Sequence, residues 1–395
     1  MRVPESRQRP TGRPKGVAHS FAPRRGGSPS RHTKGGEIAI RARRRCATAR
    51  GGFRRLRAVA AASAVGLCAG ATLFGAATAQ AATSYPVTAT IPVGTSPEGV
   101  AVDSSHNVYV ANLNSNTVSV IHESGKTGTV TATIPVEANP SGVAVDPSIH
   151  NVYVTHPFDN TVSVIHESGK TGTVTATIPV GNVPLAVAVD PSTHNVYVAN
   201  QEGSVSVIHE SGKTGTVTAT IPVGNFADAV AVDPSTHNVY VANEGDGTVS
   251  VIHESGDTGT VTATIPVGIY PDGVAVDLST HNVYTANQGD GTVSVIHESG
   301  KTGTVIATIP VGIYPFGVGV DPSTHNVYVT HGPGSDAVSV IDESGDGSTG
   351  TVTATIPVGS YPIGVAVDPS THNVYVTNAG SNTVSVISPE VRRRR

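Results

Sequence analysis

Residues 97–136 read PEGVAVDSSHNVYVANLNSNTVSVIHESGKTGTVTATIPV, and they set the pattern for most of the chain. Four apolar runs stand out in this stretch: Gly99–Asp103, Asn107–Ala111, Thr117–Ile121 and Val130–Ile134. Each is five residues long and rich in β-branched or aromatic residues, too short for a helix and right for a strand. Between them stand Asp, Asn, Ser and Gly, which turn a chain through backbone freedom or by capturing nearby backbone groups. Four such strands joined by turns form an up-and-down antiparallel sheet.

The unit then recurs. Thr-Ile-Pro-Val places its Ile at 91, 134, 178, 221, 265, 309 and 356, in steps of 43, 44, 43, 44, 44 and 47 residues. The last step is longer because Asp346-Gly347-Ser348 is inserted into a turn. Four strands at this period predict the blades of a β-propeller, whereas a solenoid needs a shorter period and one strand per face. The phase of the repeat predicts how the ring shuts. The body opens on Val87–Ile91, a strand of the fourth type, and ends on Thr383–Ile387, a strand of the third type. One strand, six full sets of four and three more give 28. The expected fold is therefore all-β: a seven-bladed propeller of four-stranded antiparallel blades, closed by the N-terminal strand as the outer strand of blade 7. Such closure leaves no open end for another chain to extend.

Charge divides the chain. Residues 1–57 hold 17 of the 25 Lys and Arg and only two acids, Glu5 and Glu37. From Ala82 onward, 8 basic and 27 acidic residues leave a formal charge of −19. A body this acidic repels phosphate backbones, so nucleic acid is not an expected partner. The Pro-, Gly- and Ser-rich basic leader, 1–57, reads as disordered. Ala58–Ala81 is apolar, follows Arg54, Arg55 and Arg57, and ends Ala79-Gln80-Ala81, which is the build of a cleaved secretory signal. A retained span of this segment is the rival reading and the one route to a membrane. Ala and Gly make it weakly hydrophobic, which favours cleavage. The expected organisation is thus leader 1–57, signal 58–81, propeller 82–388 and basic tail 389–395, secreted or held at the cell surface as a monomer. Both cysteines, Cys46 and Cys68, precede the expected cut, so the propeller needs no disulfide.

The segment Asp368-Pro-Ser-Thr-His-Asn373-Val-Tyr-Val-Thr-Asn378, followed by Asn382-Thr-Val-Ser-Val-Ile387, resembles the YVTN-type β-propeller repeat. Blades 1, 3 and 4 carry Tyr-Val-Ala-Asn at the same place and blade 5 carries Tyr-Thr-Ala-Asn; blades 2 and 6 depart with Tyr-Val-Thr-His, ending in His156 and His331. The resemblance spans about 300 residues. It implies an exported, surface-layer-like protein of a family mostly without an assigned reaction, although some similar seven-bladed propellers are lactonases or lyases. The first functional expectation is a non-catalytic binding or cell-surface propeller. Its alternatives are a propeller hydrolase or lyase, with a site at the channel mouth, and a structural envelope scaffold.

Comparing the seven copies locates the candidate site. Turns after strands one and three barely change, while those after strands two and four vary, and the two variable turns leave the same face of the disc. In the turn before strand one, a single position reads Ser96, Asn139, Val183, Phe226, Tyr270, Tyr314 and Tyr361. Four consecutive blades therefore carry an aromatic. Two residues later the series is Glu98, Ser141, Leu185, Asp228, Asp272, Phe316 and Ile363. Phe226, Tyr270, Tyr314 and Tyr361 beside Glu98, Asp228 and Asp272 suit sugars or cationic groups, with a glycan among the partner classes. The plainer reading packs the rings on Pro271, Pro315, Pro362 and neighbouring blades. An enzyme at the same mouth would draw on these acids or on His156 and His331.

No catalytic residue, metal ligand or cofactor is assigned. Histidines at 106, 150, 194, 237, 281, 325 and 372 stand in the first turn, and those at 122, 166, 209, 253 and 297 follow strand three. Equivalent atoms of neighbouring blades stand about 10 Å apart, which excludes a ring of His–His metal bridges, since zinc ligands converge at ~2.0–2.1 Å. His106 opposite His122 within a blade would offer only two ligands. The expectation is turn residues copied by duplication. Gly125-Lys126-Thr127 lacks the upstream Gly of a phosphate loop, having Val120 there, and no helix follows it. The Asp-Gly pairs at 246–247 and 290–291 read as turns rather than calcium loops.

Overall fold

In the computed structural model the described residues are 83–343 and 350–391. The expected leader, signal segment, inserted turn at 346–348 and tail arginines Arg392–Arg395 lie outside them. The repeat folds as its pattern predicts: seven four-stranded antiparallel sheets, six of them ordered by sequence from the inside out. Blade 1 consists of Pro97–Val102, Asn107–Asn112, Thr117–Ser124 and Thr127–Pro135. The third and fourth strands run further than the apolar runs suggest, so the turn between them shrinks to Gly125 and Lys126, and a bulge at Val130/Ala132 absorbs the odd residue.

Blade 7 takes its outer strand from the start of the chain. Val87–Pro92 pairs antiparallel with Thr383–Ile387, with Ile91 opposite Val384. Beyond this closure Thr83–Ser84 pairs with Glu390–Val391, a second tie between the two ends.

The core lies between blades. Seven apolar clusters occupy the seven junctions, and each joins two neighbouring sheets. In the Asn-Val-Tyr-Val strand the pleat sends Tyr to the following blade and the flanking Val residues to the preceding one. All seven of these tyrosines are fully buried. Thr-Gly-Thr in the outer strand has a steric reason. A Cβ on Gly128 would stand 2.8 Å from Ile121 Cγ2 and 3.3 Å from Ile91 Cδ1 of blade 7. That glycine admits the Ile of Thr-Ile-Pro-Val from the preceding blade.

Candidate functional site

The innermost strands surround an axial cavity of about 190 Å³, lined by residues of all seven blades. The row read from the sequence, Glu98, Ser141, Leu185, Asp228, Asp272, Phe316 and Ile363, lies on its wall. Behind it the strands approach so closely that a Cβ on Gly99 would sit 2.4 Å from the Ser141 carbonyl oxygen, and one on Gly364 2.3 Å from that of Glu98. The wall holds three carboxylates and no Lys or Arg. They are not equivalent. Ser141 Oγ donates to Glu98 Oε2 at 2.9 Å, and Gln288 Nε2 donates to Asp272 Oδ2 at 2.9 Å. Asp228 is only 9% exposed, yet among the described residues it accepts no hydrogen bond and forms no ion pair. A carboxylate on the cavity wall without a protein donor leaves its acceptor capacity to a cation or donor brought by a ligand.

The aromatic position sits just above this wall, and its backbone is left-handed in every blade, with φ between 49 and 56°. Such a conformation is rare for Val, Phe and Tyr. Hydrogen bonds impose it. In every blade but the second, where Pro157 has no N–H to give, the carbonyl of the residue accepts an N–H from the second turn of its own blade, as Glu244 to Phe226 at 2.8 Å and Ala379 to Tyr361 at 2.9 Å. In four blades its own N–H is held by an Asn or Asp of the preceding blade: Asn382 for Ser96, Asn116 for Asn139, Asn160 for Val183 and Asp336 for Tyr361. At the remaining three junctions glycines 203, 247 and 291 stand where those clamps would be, and the residues that follow are Phe226, Tyr270 and Tyr314.

The four aromatics are therefore not alike. Phe226 and Tyr270 are 43% and 51% exposed, whereas Tyr314 and Tyr361 are half-buried. Tyr361 meets the channel residue Phe316 edge-on, with ring centroids 6.2 Å apart. Phe226 and Tyr270 lie over Gly245 and Gly289 of their own blades, where a Cβ would strike the ring at 2.5 and 2.9 Å. One side of each ring packs and the other faces solvent, joined by the exposed Ile269 and Ile313. This exposed apolar arc borders the acid-lined mouth.

His156 and His331 do not join that site. They are 0% and 2% exposed, and burial pushes both imidazoles below their usual pKa. His156 Nδ1 lies 3.3 Å from the Ala138 carbonyl and Nε2 2.8 Å from Ser163 Oγ; His331 repeats this with Ile313 and Ser339. Nδ1 donates and Nε2 accepts, the pattern of a neutral ring. In other blades Asn fills the position, as Asn112 Nδ2 donating to Ser119 Oγ at 3.0 Å. These histidines are structural substitutes for that Asn, and the enzyme alternative loses them as acid–base candidates.

The opposite face corrects the reading of the turn histidines. His122 stands across from Asn107 and contacts its Oδ1 at 3.0 Å, so His106 and His122 form no pair. His106 instead reaches Asp368 of blade 7 at 2.6 Å. The same contact, from a turn His to the Asp ending strand one of the preceding blade, joins His194 to Asp146, His237 to Asp190, His281 to Asp233, His325 to Asp277 and His372 to Asp321, at 2.7–3.0 Å. His150 departs, lying 3.6 Å from Glu167 of its own blade. These residues are ties between blades rather than idle copies. Burial pushes Asp233 up, but hydrogen bonds from Ser235 and His281 outweigh it and leave the carboxyl below its usual range. The hydrogen bond to Asp233 in turn raises His281, against some desolvation. Buried Glu210 goes the other way, pushed up to about 9 by burial, with the charge of Asp146 adding to the shift. The signal that points to these ties is an Asp repeated with its His in every copy.

The comparisons agree on fold. A family model described as lactonase, 7-bladed beta-propeller, matches residues 105–224, which lie in the first three blades. The chain is a seven-bladed β-propeller. Among solved structures it is similar to hydrazine synthase of Kuenenia stuttgartiensis, at 20% identity and TM-score 0.64 over 78% of this chain and 100% of that one. It is also similar to virginiamycin B lyase from Staphylococcus aureus, at 13% identity and TM-score 0.60 over 78% and 99%. The WD40 propeller domain of Doa1 aligns at 15% identity and TM-score 0.60 over 77% and 97%. Identities this low carry the fold and not the activity. No curated protein sequence matches the chain.

Proposed function

We propose that the chain is an exported binding propeller of the YVTN type, secreted or displayed at the cell surface, whose ligand docks at the channel mouth. Asp228 carries the reading: a buried carboxylate facing the axial cavity, without a protein partner among the described residues. Glu98 and Asp272 add charge to the same wall, and Phe226, Tyr270, Tyr314 and Tyr361 supply an apolar arc beside it. Flat apolar faces next to carboxylates suit a glycan that carries free amino groups: the rings stack on sugar faces and the acids receive the ammonium. An array of amino-sugar oligomers and their N-acetylated counterparts tests this. The amino forms should bind, and Asp228→Asn or the double variant F226A/Y270A should abolish the signal. Equal binding of both forms, or of neither, overturns it.

The partial match to a lactonase family model supports a second reading, hydrolysis at the same mouth. On that reading a single Asp228→Asn change removes turnover of a lactone substrate. On the binding reading no lactone is turned over by the parent chain.

A further inference from the structure

We propose that the blade junctions on the face opposite the channel mouth hold divalent transition-metal sites, best built at Asp146, His194 and Glu210. Asp146 ends the inner strand of blade 2, while His194 and Glu210 belong to blade 3. One ligand atom from each lies within 4.8 Å of the others. His194 Nδ1 is 2.9 Å from Asp146 Oδ2 and 3.9 Å from Glu210 Oε2. Ligands at ~2.0–2.2 Å from one zinc stand roughly 3–3.5 Å apart, so shifts of about half an ångström bring the three together.

Glu210 points to an ion independently of this clustering. Its side chain is 1% exposed, and among the described residues neither carboxylate oxygen accepts a hydrogen bond. It faces a second buried carboxylate, Asp146. Two adjacent carboxylates, one without any donor, cannot both be charged cheaply in a low-dielectric site, and a dication lets both ionise. The surroundings orient the set. Asp146 Oδ1 accepts the Ser148 N–H at 2.8 Å, leaving Oδ2 for the junction. The His194 side chain, 39% exposed, keeps one side open for entry and for a water ligand. One imidazole nitrogen with two carboxylates suits zinc or manganese better than calcium, which prefers oxygen throughout.

The repeat makes further copies of graded quality. At Asp190, His237 and Glu254, one Glu oxygen is taken by Asn195 Nδ2 and the other has no partner among the described residues. At His106, Glu123 and Asp368, both oxygens of Glu123 already receive donors from blade 7, so that copy ranks last. The earlier exclusion of His–His bridging between blades stands for equivalent atoms. Here the ligands come from different rows.

The test is calorimetric titration of the chelator-stripped full chain with zinc and with manganese, alongside thermal melting and the metal content retained after gel filtration. The parent should retain zinc and melt higher with it. Glu210→Gln should retain one ion fewer per chain and lose part of the zinc-induced rise, while its metal-free form melts at or above the parent. If that variant fails to fold, His194→Gln should show the same loss of one ion. The proposal is overturned if no zinc is retained. It is equally overturned if E210Q/E254Q binds as the parent does, which would place the metal on exposed histidines.

Discussion

Replacing Ile91 by Ala tests ring closure against a control built into the repeat. Ile91 and Ile221 occupy the same place in the outer strands of blades 7 and 3, at 6% and 5% exposure. Ile91 packs between Val384 and Val386 of its own sheet and Val108, Val110 and Ile121 of blade 1. Ile221 packs between Val205 and Val207 of its own sheet and Val239, Val241 and Ile252 of blade 4. They differ in one respect: Ile221 is joined to its sheet by a two-residue turn, whereas Ile91 is almost 300 residues from Thr383–Ile387. The substitution removes three carbons at ~0.8 kcal/mol each and leaves a cavity, so each should cost about 3 kcal/mol. In a domain of this size that lowers the melting temperature by roughly 5 °C. Thermal and urea melts of both variants check it. If Ile91→Ala melts like the parent while Ile221→Ala falls, the first strand does not complete blade 7. If neither falls, the inter-blade core is misassigned.

Gly215→Ala puts a Cβ 2.7 Å from Ile208 Cγ2 and 3.1 Å from the His209 carbonyl oxygen, and should cost ~1–3 kcal/mol in urea melts. His156→Asn restores the donor found in blades such as blade 1 and should stay within about 1 kcal/mol of the parent; a larger loss would give the imidazole a task beyond bonding Ser163. Asp228→Asn should leave the melting temperature level or raise it, because the carboxylate receives no donor among the described residues; a clear drop would show that it braces the channel. The His281–Asp233 tie makes a signed pH prediction. His281 is raised above 6.5, so its contribution is complete below that pH and is lost as pH climbs through the folded pKa. Asp233 is lowered below 3.8, so its share is complete above that pH and is lost as pH falls through the folded pKa. The melting gap between parent and His281→Gln should be wide at about pH 5.5 and narrow by about pH 8.5; an unchanged gap refutes the ion pair.

The sheets were legible because each strand announces itself within five residues, and closure was legible because Val87–Ile91 appears before any complete blade. What lay between blades was not. No local pattern tells that His106 turns to Asp368, since their meeting depends on the rotation from one sheet to the next. The runs Thr117–Ile121 and Val130–Ile134 leave too long a turn between them, because Ser, Thr and Gly are common in turns. Here Thr127 and Gly128 are strand, with Gly128 chosen for the Ile that lies against it. At the channel, the acids at Glu98, Asp228 and Asp272 could be placed by counting two residues from the aromatic position. The uneven exposure of the aromatics could not, because it depends on what each ring meets in the folded ring, as Tyr361 meets Phe316 of the preceding blade. His156 looked like chemistry for the reason that makes it plain in the structure: it replaces an Asn and takes over its bond to strand three.

Blade 7 has a consequence for how the molecule comes into being. Val87–Pro92 is the first blade strand made, and its partner Thr383–Ile387 is the last. Six sheets assemble from neighbouring segments as they arrive, at the small entropic cost of short loops. The earliest β-segment has to wait out the synthesis of all of them, its edge uncovered, before it has anything to pair with. The first blade strand made is among the last to be placed.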